Sequence, residues 1–149
     1  MKNKETVHRR IKPVGIMVSE FYFYLTAFID DPEIEARIKE EGASAYPTIY
    51  RVDRIQSMKV LKERFYIPYA EKFDEGEFRK RVQFMYGGKL QTVRFTYSGE
   101  SIEAVLDRLP TAVILDEKDG VYTVEAEVYG KGIDMWLRSQ GDKVCQIPV

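Results

Sequence analysis

Alternating hydrophobic and polar positions are clearest in the last third of the chain. In the string LQTVRFTYS (90–98), Val93, Phe95 and Tyr97 alternate with polar residues, as in a strand with one buried face. A helical spacing of apolar residues follows in SIEAVLDRL, then the apolar strand TAVILD, the alternating strand VYTVEAEVY, the helix GIDMWLRSQ and the strand KVCQIPV. The order βαββαβ predicts a ferredoxin-like domain over residues 89–149.

The first half is dominated by short β-prone segments. We predict strands at 6–12, 16–18, 21–29, 46–51 and 56–64. Five short strands within about 60 residues favour a small, strongly bent β-barrel. Within the aromatic run FYFYLTAF (21–28), alternation predicts a core-facing set of Phe21, Phe23 and Leu25, with Tyr22 and Tyr24 on the opposite face.

Two helices complete the prediction of an α+β chain. Asp30-Asp31-Pro32 is typical of a helix start, which predicts a helical insertion at 32–42 that stops at Gly42. The string Asp74-Glu75-Gly76-Glu77 resembles a capping box and predicts a linker helix at 74–88. The predicted domains are therefore a barrel at 1–73, this linker, and the ferredoxin-like unit at 89–149.

Charge divides the chain in the same way. The net charge of −1 excludes a uniformly basic surface, so any contact with nucleic acid must come from a local patch. Residues 1–89 carry a net charge of +3 and residues 90–149 a net charge of −4. No apolar stretch approaches the roughly 20 residues of a membrane span, and the N-terminus lacks a signal-peptide core. We expect a cytoplasmic protein that does not contact membranes.

Residues that support catalysis or metal binding are scarce. The single histidine, His8, and the single cysteine, Cys145, exclude a multi-histidine metal site, a zinc-finger spacing and an intramolecular disulfide. No GxSxG, Walker A or GxGxxG string occurs. Cys145 lies in an apolar run and is predicted to be buried. We expect neither an enzyme nor a bound metal or cofactor.

Basic and aromatic residues instead suggest a binding face. They come from three segments: His8, Arg9 and Arg10; Tyr22 and Tyr24; and Tyr50, Arg51 and Arg54. Guanidinium groups bind phosphate with paired hydrogen bonds, and tyrosine rings stack on bases. The alternative is that Arg51 and Arg54 flank Asp53 in a structural ion pair while the tyrosines belong to the core. The residue types alone leave both interpretations open.

An ordered set of short strings resembles the WYL-domain transcriptional regulators. RIKPVGI (10–16) is similar to their Arg-Pro-Gly strand, Phe23-Tyr24-Leu25 to the name-giving triplet with Phe in place of Trp, and YRVDRI (50–55) to their Arg-Asp-Arg string. MKVLKERF (58–65) resembles the strand that follows. Trp136-Leu137, Gly141 and the stretch from Val144 to Pro148 resemble the end of their C-terminal extension. The family's opening helix, first strand and helix-turn-helix have no counterpart here.

The resemblance implies that this barrel is Sm/SH3-like, complete or incomplete, and that it is a ligand-sensing regulatory domain of a bacterial transcriptional regulator. Its ligand would be a nucleotide or single-stranded nucleic acid, and Arg10, Tyr24, Arg51 and Arg54 match the family's ligand face. Strand alternation adds His8 to this set. The implied partners are a second copy in a homodimer and, only through a separate DNA-binding domain, DNA. The alternative function is a protein-interaction or dimerisation module with no small ligand.

Overall fold

The chain forms two compact units, residues 1–72 (unit 1) and 73–149 (unit 2). The computed structural model describes residues 5–149, except for the side chain of Glu71. Within that part, the chain has an antiparallel sheet of three strands, another of four strands, and four α-helices. The predicted α+β class is confirmed. None of the described helices has the length and apolar character needed to cross a membrane.

Unit 1 is built on an antiparallel hairpin. Strand β1 (Ile11–Ser19) pairs along its length with β2 (Tyr22–Ile29), and β2 pairs with β3 (Thr48–Arg51). The chain reverses at Glu20, where the backbone is left-handed with φ 54°. Pro13 and Gly15 do not end the first strand, because a register shift between them lets the pairing continue.

The five-stranded barrel predicted for this region is wrong. Its sheet is open, with the order β1-β2-β3, and residues 6–10 and 56–64 lie outside any strand. These two segments meet through side chains, with a hydrogen bond from Thr6 to Gln56 and an ion pair between Arg10 and Glu63. A strand requires a backbone ladder with a neighbour, and three strands are too few to close a barrel.

Helix α1 (Pro32–Glu40) connects β2 to β3 and confirms the predicted insertion. Asp31 caps its first turn, because the carboxylate accepts a hydrogen bond from the backbone N–H of Glu33 at 2.9 Å. The chain leaves the helix at Gly42, which has a left-handed φ of 67°. No residue of α1 is buried, so the helix adds little to a core.

Unit 2 begins with helix α2 (Glu75–Arg81), capped by Asp74 through the N–H of Glu77 at 3.0 Å. The helix is shorter than the predicted 74–88. It ends because Val82 adopts extended geometry and forms a bridge with Tyr129. Phe78 is buried and its ring lies 5.0 Å from that of Tyr129.

A tight turn separates α2 from the sheet of unit 2. Phe84 and Met85 both have positive φ, 53° and 56°, which is costly for residues with a Cβ. The turn packs closely on the backbone that precedes the last helix. A methyl group at Gly132 would collide with the carbonyl oxygen of Gln83, so only glycine fits there.

The rest of unit 2 follows the predicted βαββαβ order. Its elements are β4 (Leu90–Tyr97), α3 (Glu103–Arg108), β5 (Val113–Lys118), β6 (Val121–Tyr129), α4 (Gly132–Ser139) and β7 (Val144–Ile147). The strands lie in the order β5-β6-β4-β7, and all neighbours are antiparallel. Each helix therefore connects two strands that are not neighbours in the sheet.

The hydrophobic core of unit 2 lies between one face of this sheet and the two helices. The alternating residues of β4 meet those of β6, and α3 and α4 cover them. The ring of Phe95 is fully buried and packs edge-on against Trp136 at 5.8 Å. The other face is polar, with Arg94 paired to Glu125 at 2.6 Å. The two-layer fold of this unit thus follows from strands and helices that each have one apolar face.

Two edge strands differ from sequence expectation. Every residue of β5 is exposed, although its first half is apolar. Cys145, predicted to be buried, is exposed on β7. Both strands lie at the edges of the sheet, where each has one neighbour, so an apolar run there does not imply burial.

We expect Phe95→Ala to lower the free energy of unfolding of unit 2 by about 3–5 kcal/mol, because it removes a buried ring and leaves a cavity. Trp136 is the only tryptophan, so its fluorescence during urea unfolding reports on this unit. Val113→Ala, at a side chain that is 58% exposed, serves as control and should change the value by less than about 0.5 kcal/mol. Equal effects of the two substitutions would contradict the core assignment.

Candidate functional site

Backbone pairing brings part of the predicted site together. Tyr24 on β2 lies directly opposite Arg51 on β3, so their side chains share one face of the sheet. Tyr22 lies two residues before Tyr24 and therefore on the same face. The two tyrosine rings are 6.4 Å apart and meet edge to face at 78°. We call Tyr22, Tyr24, Arg51 and Arg54 the basic-aromatic cluster.

The Arg51 guanidinium is held on two sides. Its carbon lies 3.6 Å from the centre of the Tyr22 ring, which is a close cation–π contact. Its Nε donates to Asp53 Oδ1 at 3.0 Å, and its Nη2 donates to Asp53 Oδ2 at 2.6 Å. The hydrogen bonds from Arg51 lower the pKa of Asp53, and the same pairing raises the pKa of Arg51.

The alternative interpretation is therefore correct for the ion pair and wrong for the tyrosines. Arg51 and Asp53 form the structural pair that it required. Tyr22, however, is 37% exposed, and Tyr24 is only half-buried, so neither belongs to a closed core. The cluster is a surface in contact with solvent.

Arg54 completes the cluster at its exposed end. A 3-10 turn at Val52–Arg54 follows β3 directly, so Arg54 comes three residues after Arg51. Its side chain is exposed, and its charge adds a small contribution to the lowered pKa of Asp53. Among the cluster's two arginines, Arg51 makes the hydrogen bonds to Asp53.

Arg10 lies at another part of unit 1. The Arg10 carbonyl accepts the N–H of Asp30, six residues along β2 from Tyr24, which corresponds to roughly 20 Å. Arg10 Nε also donates to the Asp30 carboxylate at 2.7 Å. Lys12 and then Arg10 lower the pKa of Asp30. His8 is exposed, and Thr6, two residues before it, hydrogen-bonds Gln56. The binding role of Arg10 and His8 stays a prediction.

The predicted core-facing aromatic residues are in fact exposed. Phe21 is 91% exposed and Phe23 is 60% exposed, while Leu25 is half-buried. The alternation was identified correctly. Phe23 and Leu25 lie on one face of the sheet, where they pair with Val18 and Ile16 of the neighbouring strand β1. The prediction was wrong because it assumed a closed barrel with an interior on that side. An open three-stranded sheet has no such interior.

Tyr50, which precedes Arg51 on β3, differs from the tyrosines of the cluster in the burial of its hydroxyl. Its hydroxyl is buried and makes no hydrogen bond of acceptable geometry. Burial raises the pKa of Tyr50, while the proximity of Thr48 and the charge of Arg9 act in the opposite direction. The buried hydroxyl of Tyr50 is therefore not available to hydrogen-bond a ligand.

Two features were missed by the sequence interpretation. The stacking of Arg51 on Tyr22 depends on strand register, although the Arg-x-Asp spacing in YRVDRI already indicated the ion pair. In unit 2, the Arg108 guanidinium lies 4.8 Å from the centre of the exposed Phe84 ring. These residues are far apart in sequence and carry no local signal. Within residues 5–149, no group of three or more His, Cys, Asp or Glu side chains is arranged to hold a metal.

Comparison with protein-family models gives no match for this chain, and comparison with curated proteins gives none either. The WYL resemblance therefore rests on the residues quoted above.

We expect Arg51→Gln to raise the pKa of Asp53 toward 3.8, the value without its partner. Because folding depresses this pKa, the pair's contribution to stability is present above the unfolded pKa and is lost as pH falls through the folded one. The stability difference between wild type and variant should therefore shrink in acid. NMR titration of the Asp53 carboxyl measures the shift.

Arg54→Gln is the matched control for this titration, and it should move the Asp53 pKa less because Arg54 acts only through its charge. An equal shift in both variants would show that the hydrogen bonds from Arg51 are not the main cause.

Proposed function

We propose that this chain is a ligand-sensing regulatory domain of a bacterial transcriptional regulator that binds a nucleotide or single-stranded nucleic acid at the basic-aromatic cluster. The observation that carries the proposal is the partly exposed stack of the Arg51 guanidinium on Tyr22 beside Tyr24. A flat cation and two aromatic rings at one surface suit a ligand that has both bases and phosphates.

The chemistry divides between the two residue types. Tyrosine rings stack on bases without regard to sequence, while arginines bind phosphate oxygens through paired N–H donors. Arg54 is exposed and suited to a first electrostatic contact. Arg51 directs two of its donors at Asp53, so a phosphate must use its remaining N–H groups or displace the carboxylate. Asp53 therefore competes with a bound anion for Arg51 and lowers the affinity for that anion.

The regulatory part of the proposal depends on the WYL resemblance. It implies a ferredoxin-like fold for residues 89–149 and a cytoplasmic regulator that reaches DNA through a separate domain, whereas the open sheet of unit 1 departs from the barrel that the resemblance implies. Ligand binding, without catalysis or cofactor, is the role proposed for this chain. The βαββαβ order and the strand order β5-β6-β4-β7 support the ferredoxin-like assignment.

We expect the double substitution Arg51→Ala with Arg54→Ala to weaken binding of a fluorescent single-stranded oligonucleotide at least about tenfold, since it removes both phosphate ligands and the stacked guanidinium. The slope of log affinity against log salt should fall by about 0.7 for each phosphate group that the protein no longer neutralises. Fluorescence anisotropy over a salt series measures both quantities, and the melting temperature should change little.

Two further variants sharpen this test. Asp53→Asn should tighten binding, because it frees Arg51 and removes a negative charge. Arg37→Ala, at an exposed arginine on α1, removes one positive charge away from the cluster and should leave affinity within about twofold. If wild type shows no salt-sensitive binding to any oligonucleotide or cyclic dinucleotide, the proposal is wrong. It is also wrong if Asp53→Asn weakens binding as much as the double substitution.

We expect Arg10→Ala to weaken binding of an oligonucleotide but not of a cyclic dinucleotide. Arg10 lies roughly 20 Å from Tyr24 along β2, which a strand of several nucleotides can span and a dinucleotide cannot. Isothermal titration with ligands of increasing length measures the effect. Equal loss for both ligands would contradict this division of the face, and no loss for either would remove Arg10 from the binding surface.

A second candidate function is a protein-interaction or dimerisation module without a small ligand. The observation that favours it is the exposure of large apolar side chains in unit 1, including Phe21 and Phe23. The two functions are compatible, because a ligand face and a contact face can occupy different parts of one sheet.

A further inference from the structure

The turn that follows helix α2 in unit 2 has a strained backbone. Gln83 and Tyr86 form an isolated antiparallel bridge, and the N–H of Tyr86 donates to the carbonyl of Gln83 at 3.1 Å. Both residues between them, Phe84 and Met85, have positive φ. Turns of this kind normally contain Asn-Gly, because a larger side chain is disfavoured at positive φ. Strain of this kind persists where the surrounding structure enforces it, and it is concentrated at functional sites.

A neighbouring backbone segment enforces the geometry of the turn. A Cβ at Gly130 would collide with the carbonyl oxygen of Gly87, and a Cβ at Gly132 would collide with that of Gln83. Lys131 lies between these two glycines and is exposed. Close packing of the two backbone segments therefore fixes the turn and places Lys131 beside it.

The turn exposes aromatic rings next to a cation. Phe84 is 45% exposed and Tyr86 is 56% exposed. The guanidinium carbon of Arg108, at the end of α3, lies 4.8 Å from the centre of the Phe84 ring. Arg108 is exposed, and within residues 5–149 no carboxylate forms an ion pair with it. Its N–H groups are therefore available to an anionic ligand.

Local charge around the turn is positive, although most of unit 2 is acidic. Residues 77–89 contain four basic residues and one acidic residue, a net charge of +3, whereas residues 90–149 carry a net charge of −4. The acidic residue, Glu77, pairs with Lys80 and Arg81. Lys131 adds an exposed positive charge beside the turn. An anion that approaches unit 2 is therefore attracted to this part of it.

We propose that Phe84, Tyr86, Arg108 and Lys131 form a second binding site, the turn site, for a base and an adjoining phosphate of single-stranded nucleic acid. The base stacks on the exposed rings, and the two cations bind the phosphate. The residue types match those of the basic-aromatic cluster, so the two sites suit one class of ligand. The inference rests on the proposed function for the identity of that ligand, and it gives unit 2 a direct part in binding.

The first test measures the affinity of the full chain for a fluorescent oligothymidine of about 16 nucleotides by anisotropy. We expect Phe84→Leu, which keeps an apolar side chain and removes the ring, to weaken binding at least about fivefold. Phe84→Tyr keeps the ring and should leave affinity within about twofold of wild type. Met85→Gly removes the other apolar side chain of the turn and relieves its positive φ, and it should also leave affinity within about twofold.

The second test concerns the phosphate contact. We expect Arg108→Gln to weaken binding and to lower the slope of log affinity against log salt by about 0.7, since one phosphate is no longer neutralised. Arg138→Gln, at an exposed arginine near the end of α4, is the matched control and should change neither quantity. Trp136 fluorescence and the melting temperature verify that each variant is folded.

Photo-crosslinking locates the ligand directly. An oligonucleotide with iodouracil in place of thymine should crosslink to Phe84 or Tyr86, and mass spectrometry of the digested chain identifies the modified peptide. A wild type that binds no oligonucleotide, a crosslink map without residues 84–86, or equal losses of affinity for Phe84→Leu and Met85→Gly would each overturn the turn site.

The two proposals fail in different ways. If Phe84→Leu leaves affinity unchanged while Arg51→Ala with Arg54→Ala weakens binding, the turn site is wrong and the proposed function stands. If Phe84→Leu weakens binding while the double substitution has no effect, the turn site stands and the basic-aromatic cluster is not where the ligand binds.

Discussion

A β-strand exists only where a neighbouring strand satisfies its backbone N–H and C=O groups, and this requirement governs both halves of the chain. In unit 2, the long β4–β6 ladder satisfies it at the centre of the sheet, and both edge strands are short or bulged. In unit 1, β2 alone has neighbours on both sides. The β-prone stretch at 56–64 has none within the described residues and stays irregular. The difference in buried core follows from this difference in pairing.

The same ladder creates the candidate site. Because Tyr24 pairs with Arg51, the arginine is held where its guanidinium can stack on Tyr22 and reach Asp53. The exposed carboxylate partly neutralises the cation, and it also holds the planar group in one orientation. A preorganised guanidinium loses less side-chain entropy when it binds a planar anion than a freely rotating one does. The ion pair is therefore compatible with a binding role for Arg51. Asp53 is the group with which a ligand would compete for the guanidinium.

Sequence patterns were accurate wherever local chemistry decides structure. Asp31 and Asp74 were correctly identified as helix caps, because a carboxylate accepts the free N–H groups of a first turn in almost any context. The alternation in β4 correctly predicted which of its side chains are buried in the core of unit 2. The helix predicted for 74–88 was too long because the bridge from Val82 to Tyr129, a contact distant in sequence, ended it at Arg81. Patterns also identified the members of the basic-aromatic cluster, but not that Arg10 pairs with Asp30 at the far end of β2.

The sequence by itself determined which residues are able to form strands, which start and end helices, and which carry charge beside aromatic rings. Those properties belong to single residues and their immediate neighbours. Only the tertiary structure decided whether a face is inside or outside. Phe23 satisfies every local requirement of a core residue and is nevertheless exposed, as are the apolar residues of β5. Burial depends on what packs against a face, and register depends on which strands pair, so both are set by contacts that no local pattern contains.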